Sequence, residues 1–469
     1  MNSKKLFALF GALTLVAASL AAAPAARVAA QKQQPPAGGA PHPFALPRRE
    51  EFKLKNGMAV TLVPYGAIPK AQVTAIVRSG NMNEPADKIW LADLTGDLMG
   101  EGTATRTSEA VDAEAARMGG SLGVGTGLDT SSVGIDVLGE YAPDAVRLVA
   151  DVLTRPLLPE SELQRLKTDR LRNLSIQKSQ PGSLALERFR KALYGEHPYG
   201  RIFPTEQMIN SISIADVRKF YADNFGAQRT HLYVAGQFNA AQVRKAITQA
   251  FGPWPKGAPP VENVPHPTSE RKVYLVDRPG AAQSTIYLGL PVVDPSHKDY
   301  MPLVVTNAIL GGSFGSRITS NIREAKGYTY SPNSSVSSRY RDAYWVEVAD
   351  VTTAVTGPSL KEIFYEIDRL QKEPPPEAEL QGIKNYMAGI FTIQNSSRQG
   401  IIGQLAFLDL HRLPDTYLTN YVQNILNVSP GDVQRVMQTY VKPERMTIVV
   451  VGDREKIAKQ IEEYGTVVL

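Results

Sequence analysis

The segment LADLTGDLMGEGT (residues 91–103) sets two carboxylates, Asp93 and Asp97, four residues apart. On a helix that spacing puts both side chains on one face, where they could act together. Two carboxylates with no third partner would hold a hard cation weakly. A solvated or capping pair on the helix face is the plainer reading. A second stretch, LGGSFGSRITSNIREAKGYTYS (310–331), reads as a helix end, a glycine-rich turn and a further helix ending near Gly327. Gly311 and Gly312 would let that turn pass close to a substrate strand or a facing part of the chain. Gly123, Gly125 and Gly127 have a G-x-G-x-G spacing but run on into LDTSSVGIDVL, a strand. A nucleotide loop would have to open a helix there. The six histidines (His42, His197, His231, His266, His297 and His411) form neither His-x-x-Glu-His nor His-Glu-x-x-His. His197, in a Pro-Tyr-Gly loop, reads as structural or solvated.

The elements that must carry these residues belong to a chain of 469 residues, long enough for two to four domains. Its hydrophobic fraction of 43% and charged fraction of 21% are those of a globular protein with real cores. Residues 1–30 carry Lys4 and Lys5, an apolar run and a small-residue end, the grammar of a secretory signal peptide. Val28-Ala29-Ala30 is the favoured cleavage site, with Ser19-Leu20-Ala21 an earlier possibility. A membrane anchor is the alternative for the Ala-rich run Leu6–Ala23. Removing residues 1–30 lowers the formal charge from +5 to +2, so the basic balance gives no reason to expect a nucleic-acid partner. No later segment is apolar enough to span a membrane. The absence of cysteine removes thiolate zinc sites, disulfides and a cysteine nucleophile.

Residues 31–47 read as a flexible Pro/Gly/Ala-rich leader. EFKLKNGMAVTLVP (51–64) then reads as strand, Asn56-Gly57 turn, strand. A Pro-rich stretch, GPWPKGAPPVENVPHP (252–267), separates two halves that look like repeats. DVRKFYADNFGAQRTHLYVAG (216–236) aligns without gaps on DVQRVMQTYVKPERMTIVVVG (432–452), each reading helix, turn, buried strand, glycine. The expected fold class is α+β: two homologous mixed domains at 48–255 and 270–469, joined by a linker at 256–269.

The run 310–331 strongly resembles the C-terminal half of the insulinase/pitrilysin-type zinc peptidases, which include mitochondrial processing peptidase. The matching residues are Gly311-Gly312, Ser316-Arg317, Ile322-Arg323-Glu324 and Tyr330-Ser331. LKNGMAVTLVP, VRSGNMNEP (77–85), GGSLGVGTGLDTSSVGIDVL (119–138), KALYGEHPYGR (191–201) and PPPEAELQGIKNYMAGIF (374–391) resemble further family segments in the same order. The resemblance implies a mitochondrial-processing-peptidase-like metallohydrolase fold. In active members the helix after the VRSG-type loop carries His-x-x-Glu-His, with zinc on the histidines and the glutamate as general base. Matched on the Gly-Thr end, Asp93 and Asp97 stand at the histidine positions and Gly96 at the base. The family's third ligand is a glutamate on a later helix, here 160–177. The matching positions, near Arg172 and Asn173, offer no carboxylate.

The family's Arg/Tyr pair is retained as Arg323 and Tyr330. The resemblance implies that they bind the substrate backbone and stabilise the oxyanion beside zinc in the facing half. The alternatives are a surface ion pair of Arg323 with Glu324 and core packing of Tyr330. The resemblance, together with the export signal, implies the zinc-less subunit of a secreted, periplasmic two-subunit peptidase. It would bind no cofactor itself, pair with a homologous zinc-bearing subunit, and act on peptides or unfolded segments. A purely structural or peptide-binding scaffold is the rival. An autonomous peptidase would need ligands and a base that the sequence does not supply.

Overall fold

A computed structural model describes residues 44–469; the signal-peptide reading and most of the leader lie outside the described residues. The expected early hairpin forms where the Asn-Gly turn predicts it. β1 (Glu50–Lys53) pairs antiparallel with β2 (Ala59–Pro64). Gly57 takes φ +92°, which a side chain would resist, and Asn56 Nδ2 donates to the Phe251 carbonyl at 2.8 Å. β3 (Lys70–Val77), β4 (Leu122–Thr126), β5 (Ser131–Leu138) and β6 (Thr230–Gly236) complete a six-stranded sheet in the order β1-β2-β6-β3-β5-β4. β2 and β6 run parallel and the other neighbours antiparallel.

The second half repeats this plan. β7 (Lys272–Asp277), β8 (Gln283–Val292), β9 (Asn333–Arg339), β10 (Asp342–Thr352), β11 (Thr447–Gly452) and β12 (Thr466–Val468) form a sheet ordered β12-β7-β11-β8-β10-β9. The two orders match once the edge strand is exchanged: the first half supplies it before β2, the second from its last residues. The aligned helices, Ile214–Asn224 and Pro430–Tyr440, open with the same capping box. Ser213 Oγ accepts from Asp216 N, and Ser429 Oγ accepts from Asp432 N. Each half has its own core behind its sheet.

The other face of each sheet is covered by a helix from the opposite half. The helix Pro181–Tyr194 lays Ala185, Phe189 and Leu193 against Val449 and Val451 of β11. The helix Arg398–His411 lays Ile401, Ile402 and Leu405 against Val63, Tyr233 and Ala235 of the first sheet. Each fully buried Leu, Ile or Phe contributes about 1.5–3 kcal/mol, so this exchange ties the halves firmly. Phe44 and Leu46, which the sequence reading assigns to the leader, also pack. Phe44 meets the Phe391 ring edge-on with centroids 5.0 Å apart.

Candidate functional site

The helix Leu91–Gly100 starts at Trp90, whose φ of 70° is unusual for a large side chain. The indole is held by its Nε1 donating to the Ile202 carbonyl at 3.0 Å and by Phe203 packing edge-on. The helix N-terminus is capped from a distance: Glu84 Oε1 accepts from Ala92 N at 2.8 Å and from Asn81 Nδ2 at 3.0 Å. Burial, and then the nearby charge of Asp93, push the Glu84 carboxyl up to about 8.

Asp93 and Asp97 share a helix face, as their spacing predicts, but they are neither solvated nor simple caps. They face Arg170 on the helix Glu160–Ser179. Arg170 grips Asp97 with two parallel bonds, Nε to Oδ2 at 2.7 Å and Nη2 to Oδ1 at 2.8 Å. Its Nη1 reaches Asp93 Oδ1 at 3.2 Å, and Asn81 Nδ2 donates to Asp93 Oδ2 at 2.6 Å. All four carboxylate oxygens therefore have donors. Burial raises the Asp93 carboxyl above its ordinary range; Arg170 and Asn81 oppose this, and Asp97 adds to it. Burial works against the Arg170 charge, yet Asp97 and Asp93 hold that guanidinium above its ordinary value. One cation thus serves two acids, and the less well bonded acid carries the cost.

This donor set does not fit zinc. The place a metal would take between two ligands is filled by a covalently fixed cation. Among the described residues no three His, Cys, Asp or Glu side chains converge as a metal site. Gly96 has no room for a base: a Cβ there would lie 2.6 Å from Thr126 Oγ1 on β4. The residue opposite the acids is Arg170, not Arg172 or Asn173. Arg172 points outward and pairs with Asp169. The signal for Arg170 was present in the sequence. It stands four residues from both Leu166 and Leu174, an arginine within a buried apolar stripe.

In the second half, Ile318 and Ile322 are buried and anchor the segment that carries Arg323. The turn at Ala308–Gly312 and the segment Thr319–Ala325 are π-helical, a distortion common at functional sites. The close approaches at Gly311 and Gly312 are to the chain's own side chains. A Cβ on Gly311 would lie 2.6 Å from Oε2 of the fully buried Glu347, and one on Gly312 would lie 2.3 Å from Asn307 Nδ2. Arg317 grips Glu379 with two bonds of 2.8 Å. Asn321 Nδ2 bonds Glu362 and Glu366.

Arg323 and Tyr330 come together. The guanidinium lies over the Tyr330 ring, 5.1 Å from its centroid, and over the Phe314 ring at 4.5 Å. Glu324 Oε1 is 3.4 Å from Arg323 Nε, so the surface ion pair also exists. Tyr330 is 81% exposed and Phe314 72% exposed, which rules out core packing for the tyrosine. Phe314 was not singled out from sequence, although a large aromatic inside a Gly/Ser turn is a visible oddity. Asp93, Gly96 and Asp97 form one group and Arg323 and Tyr330 another. Among the described residues no hydrogen bond or ion pair joins the two.

Two adjoining family models match this chain: the insulinase family, peptidase family M16, over residues 65–204, and the peptidase M16 inactive domain over 211–387. Together with the doubled fold, they establish that the chain belongs to the M16 insulinase family. It is 24% identical over 343 residues to the "Uncharacterized zinc protease YmxG" of Bacillus subtilis, covering 72% of this chain and 83% of that one. It is 23% identical over 409 residues to the "Non-peptidase homolog YmxG" of Helicobacter pylori, covering 84% and 90%. Among solved structures it superposes on a peptidase M16 inactive domain from Pseudomonas fluorescens with TM-score 0.80 at 24% identity, over 86% of this chain and 98% of that one. The periplasmic protease PqqL of Escherichia coli matches with TM-score 0.74 at 16% identity, over 87% of this chain and 46% of PqqL. No helix among the described residues is long and apolar enough to cross a membrane.

Proposed function

We propose that this chain is the zinc-less subunit of an exported, periplasmic two-subunit zinc metallopeptidase, built of homologous domains at 48–255 and 270–469. Arg323 and Tyr330 act in trans at the zinc site of a homologous partner subunit. There the guanidinium and phenol bind the backbone of a peptide or unfolded segment and stabilise the oxyanion formed during hydrolysis. Gly311 and Gly312 shape the turn that delivers them. One observation carries the reading: Tyr330 stands exposed with the half-buried Arg323 guanidinium over its ring, while the chain's own acids are paired with Arg170. Solvent-facing aromatic side chains that no core requires, with a guanidinium held against them, are the kind that engage a ligand. The likeness to a protein named as a non-peptidase homolog supports the inactive half of this reading.

The test is to purify the mature chain with a co-encoded homologue that carries His-x-x-Glu-His, and to compare peptide turnover with Arg323→Ala and Tyr330→Phe. Losing one oxyanion donor costs about 10²–10³ in kcat. A loss of that size with assembly intact supports the half-site. Unchanged turnover, or no association, favours the scaffold reading.

A further inference from the structure

A cavity of about 800 Å³ opens between one end of the first sheet and the last turns of the helix Arg398–His411. None of Asp93, Asp97, Arg323 and Tyr330 lines it. Strand register lays out its floor. Lys53 on β1 stands opposite Ala59 on β2, Ala59 opposite His231 on β6, and His231 opposite Ile76 on β3. These four form one row across the sheet, about 4.8 Å from strand to strand. Farther along the same face, Val63, Tyr233 and Ala235 meet the covering helix closely. In the row itself Ala59 offers only a methyl. Gly403, on the helix, offers no side chain, and a Cβ there would meet no atom within 4 Å, so the space between stays open.

The polar groups of this cavity are unevenly matched. Each acid that lines it already has a partner. Glu51 and Asp415 both accept from Arg49, at 2.5 and 2.7 Å, and Asp409 Oδ2 lies 3.4 Å from His231 Nδ1. The His231 ring is fixed: it stacks on Tyr233 with centroids 4.0 Å apart, and its Nε2 is 2.8 Å from Thr61 Oγ1. Arg229 gives its N–H groups to the carbonyls of Ala258 and Pro259. Two cations remain. The half-buried Arg78 lays its guanidinium over the Tyr340 ring, 4.8 Å from the centroid, and the Lys53 side chain is exposed. Among the described residues neither has a side-chain hydrogen bond or ion pair. A guanidinium held flat against a ring keeps its N–H edge free to take two oxygens at once.

We propose that this cavity binds an amphipathic acid: its carboxylate pairs with Arg78 and Lys53, and its apolar body lies on Ala59, Ile76, Leu405 and Leu413. The volume is that of a small-molecule site, and the apolar wall rewards an organic body over a bare ion. The surplus of cations selects an anion. Glu51, Asp409 and Asp415 on the same walls repel a phosphate dianion more than a carboxylate. The strands belong to the first half, and Tyr340 and the helix to the second, so a bound acid touches both halves.

The experiment titrates the mature chain by calorimetry with octanoate and with N-acetyl-Leu-Leu, each beside its uncharged amide. The acids bind saturably and their amides more weakly. Octanoate alone assigns an aliphatic acid, the dipeptide alone a peptide carboxyl terminus, and both the shared chemistry. Arg78→Gln weakens the acids about 10–100-fold, the share of a charge-assisted hydrogen bond, and leaves the amides unchanged. Lys53→Gln, at an exposed position, weakens them about 2–5-fold. Gly403→Leu fills the space and abolishes binding while the Tm holds or rises, since leucine is the better helix former. In crystals soaked with 8-bromooctanoate the bromine peak lies between Ile76 and Leu405. No saturable binding, equal affinity for acid and amide, acid affinity unchanged in Arg78→Gln, or a bromine peak only elsewhere overturns the proposal.

Discussion

Replacing Arg170 by leucine strands two carboxylates that the fold has positioned around one cation. Removing one partner of a buried pair costs about 3–5 kcal/mol. Here the side chains are 20% exposed for Arg170, 19% for Asp93 and 31% for Asp97, so water recovers part of that loss. The expected destabilisation is about 2–4 kcal/mol, read as a fall in the urea midpoint at unchanged m-value. The pH dependence has a definite sign. Asp93 already titrates above its ordinary range, and without the guanidinium it goes higher still. A carboxyl raised in the folded state contributes stability that is full at low pH and erodes as pH rises through its folded pKa. The deficit of the variant is therefore largest near pH 8 and shrinks toward pH 4. Adding Asp93→Asn and Asp97→Asn to Arg170→Leu recovers most of the loss, because no unpaired charge remains. Millimolar Mn²⁺ or Ca²⁺ raises the Tm of Arg170→Leu but not of the parent, since only the variant frees the carboxylate oxygens. A loss under about 0.5 kcal/mol, or a triple variant as unstable as the single one, would refute the assignment of Arg170 as the resident cation.

Two further outcomes follow from the same region. Glu84, raised from 4.5 to about 8, makes the folded chain lose up to about 1.4 kcal/mol per pH unit as pH climbs through that window. Glu84→Gln keeps an acceptor for Ala92 N and flattens the urea midpoint between pH 5 and pH 8; parallel pH curves for the two proteins would count against the buried acid. Gly96→Ala forces a methyl to within 2.6 Å of Thr126 Oγ1 and costs about 1–3 kcal/mol. Thr126→Ala restores much of that loss in the double variant. An additive pair of thermal midpoints would show that the contact is not the reason for the glycine.

The doubled architecture was legible in the chain because its cause is local and repeated. Ser213/Asp216 and Ser429/Asp432 cap their helices with the same side-chain bonds, and each helix leads into a buried strand one short turn later. Residue types were legible too: the sequence has aspartates at 93 and 97 and a glycine at 96, where the family resemblance would put histidines and a glutamate. Arg170 was legible only as an arginine four residues from both Leu166 and Leu174; its pairing with the acids was not. Arg170 meets Asp97 across 73 positions, and its direction is set by how the helix Glu160–Ser179 rotates against its neighbour. A shift of two positions along that helix, from Arg170 to Arg172, turns the guanidinium from the acids to solvent. The exchange of helices between the halves was hidden for the same reason. Periodicity shows that a helix has an apolar face, but the surface that covers it is chosen only when the chain closes on itself. Sequence by itself determined which groups are present and which elements repeat. Tertiary structure decided which charges meet, because an ion pair depends on ångström distances that no spacing along the chain encodes.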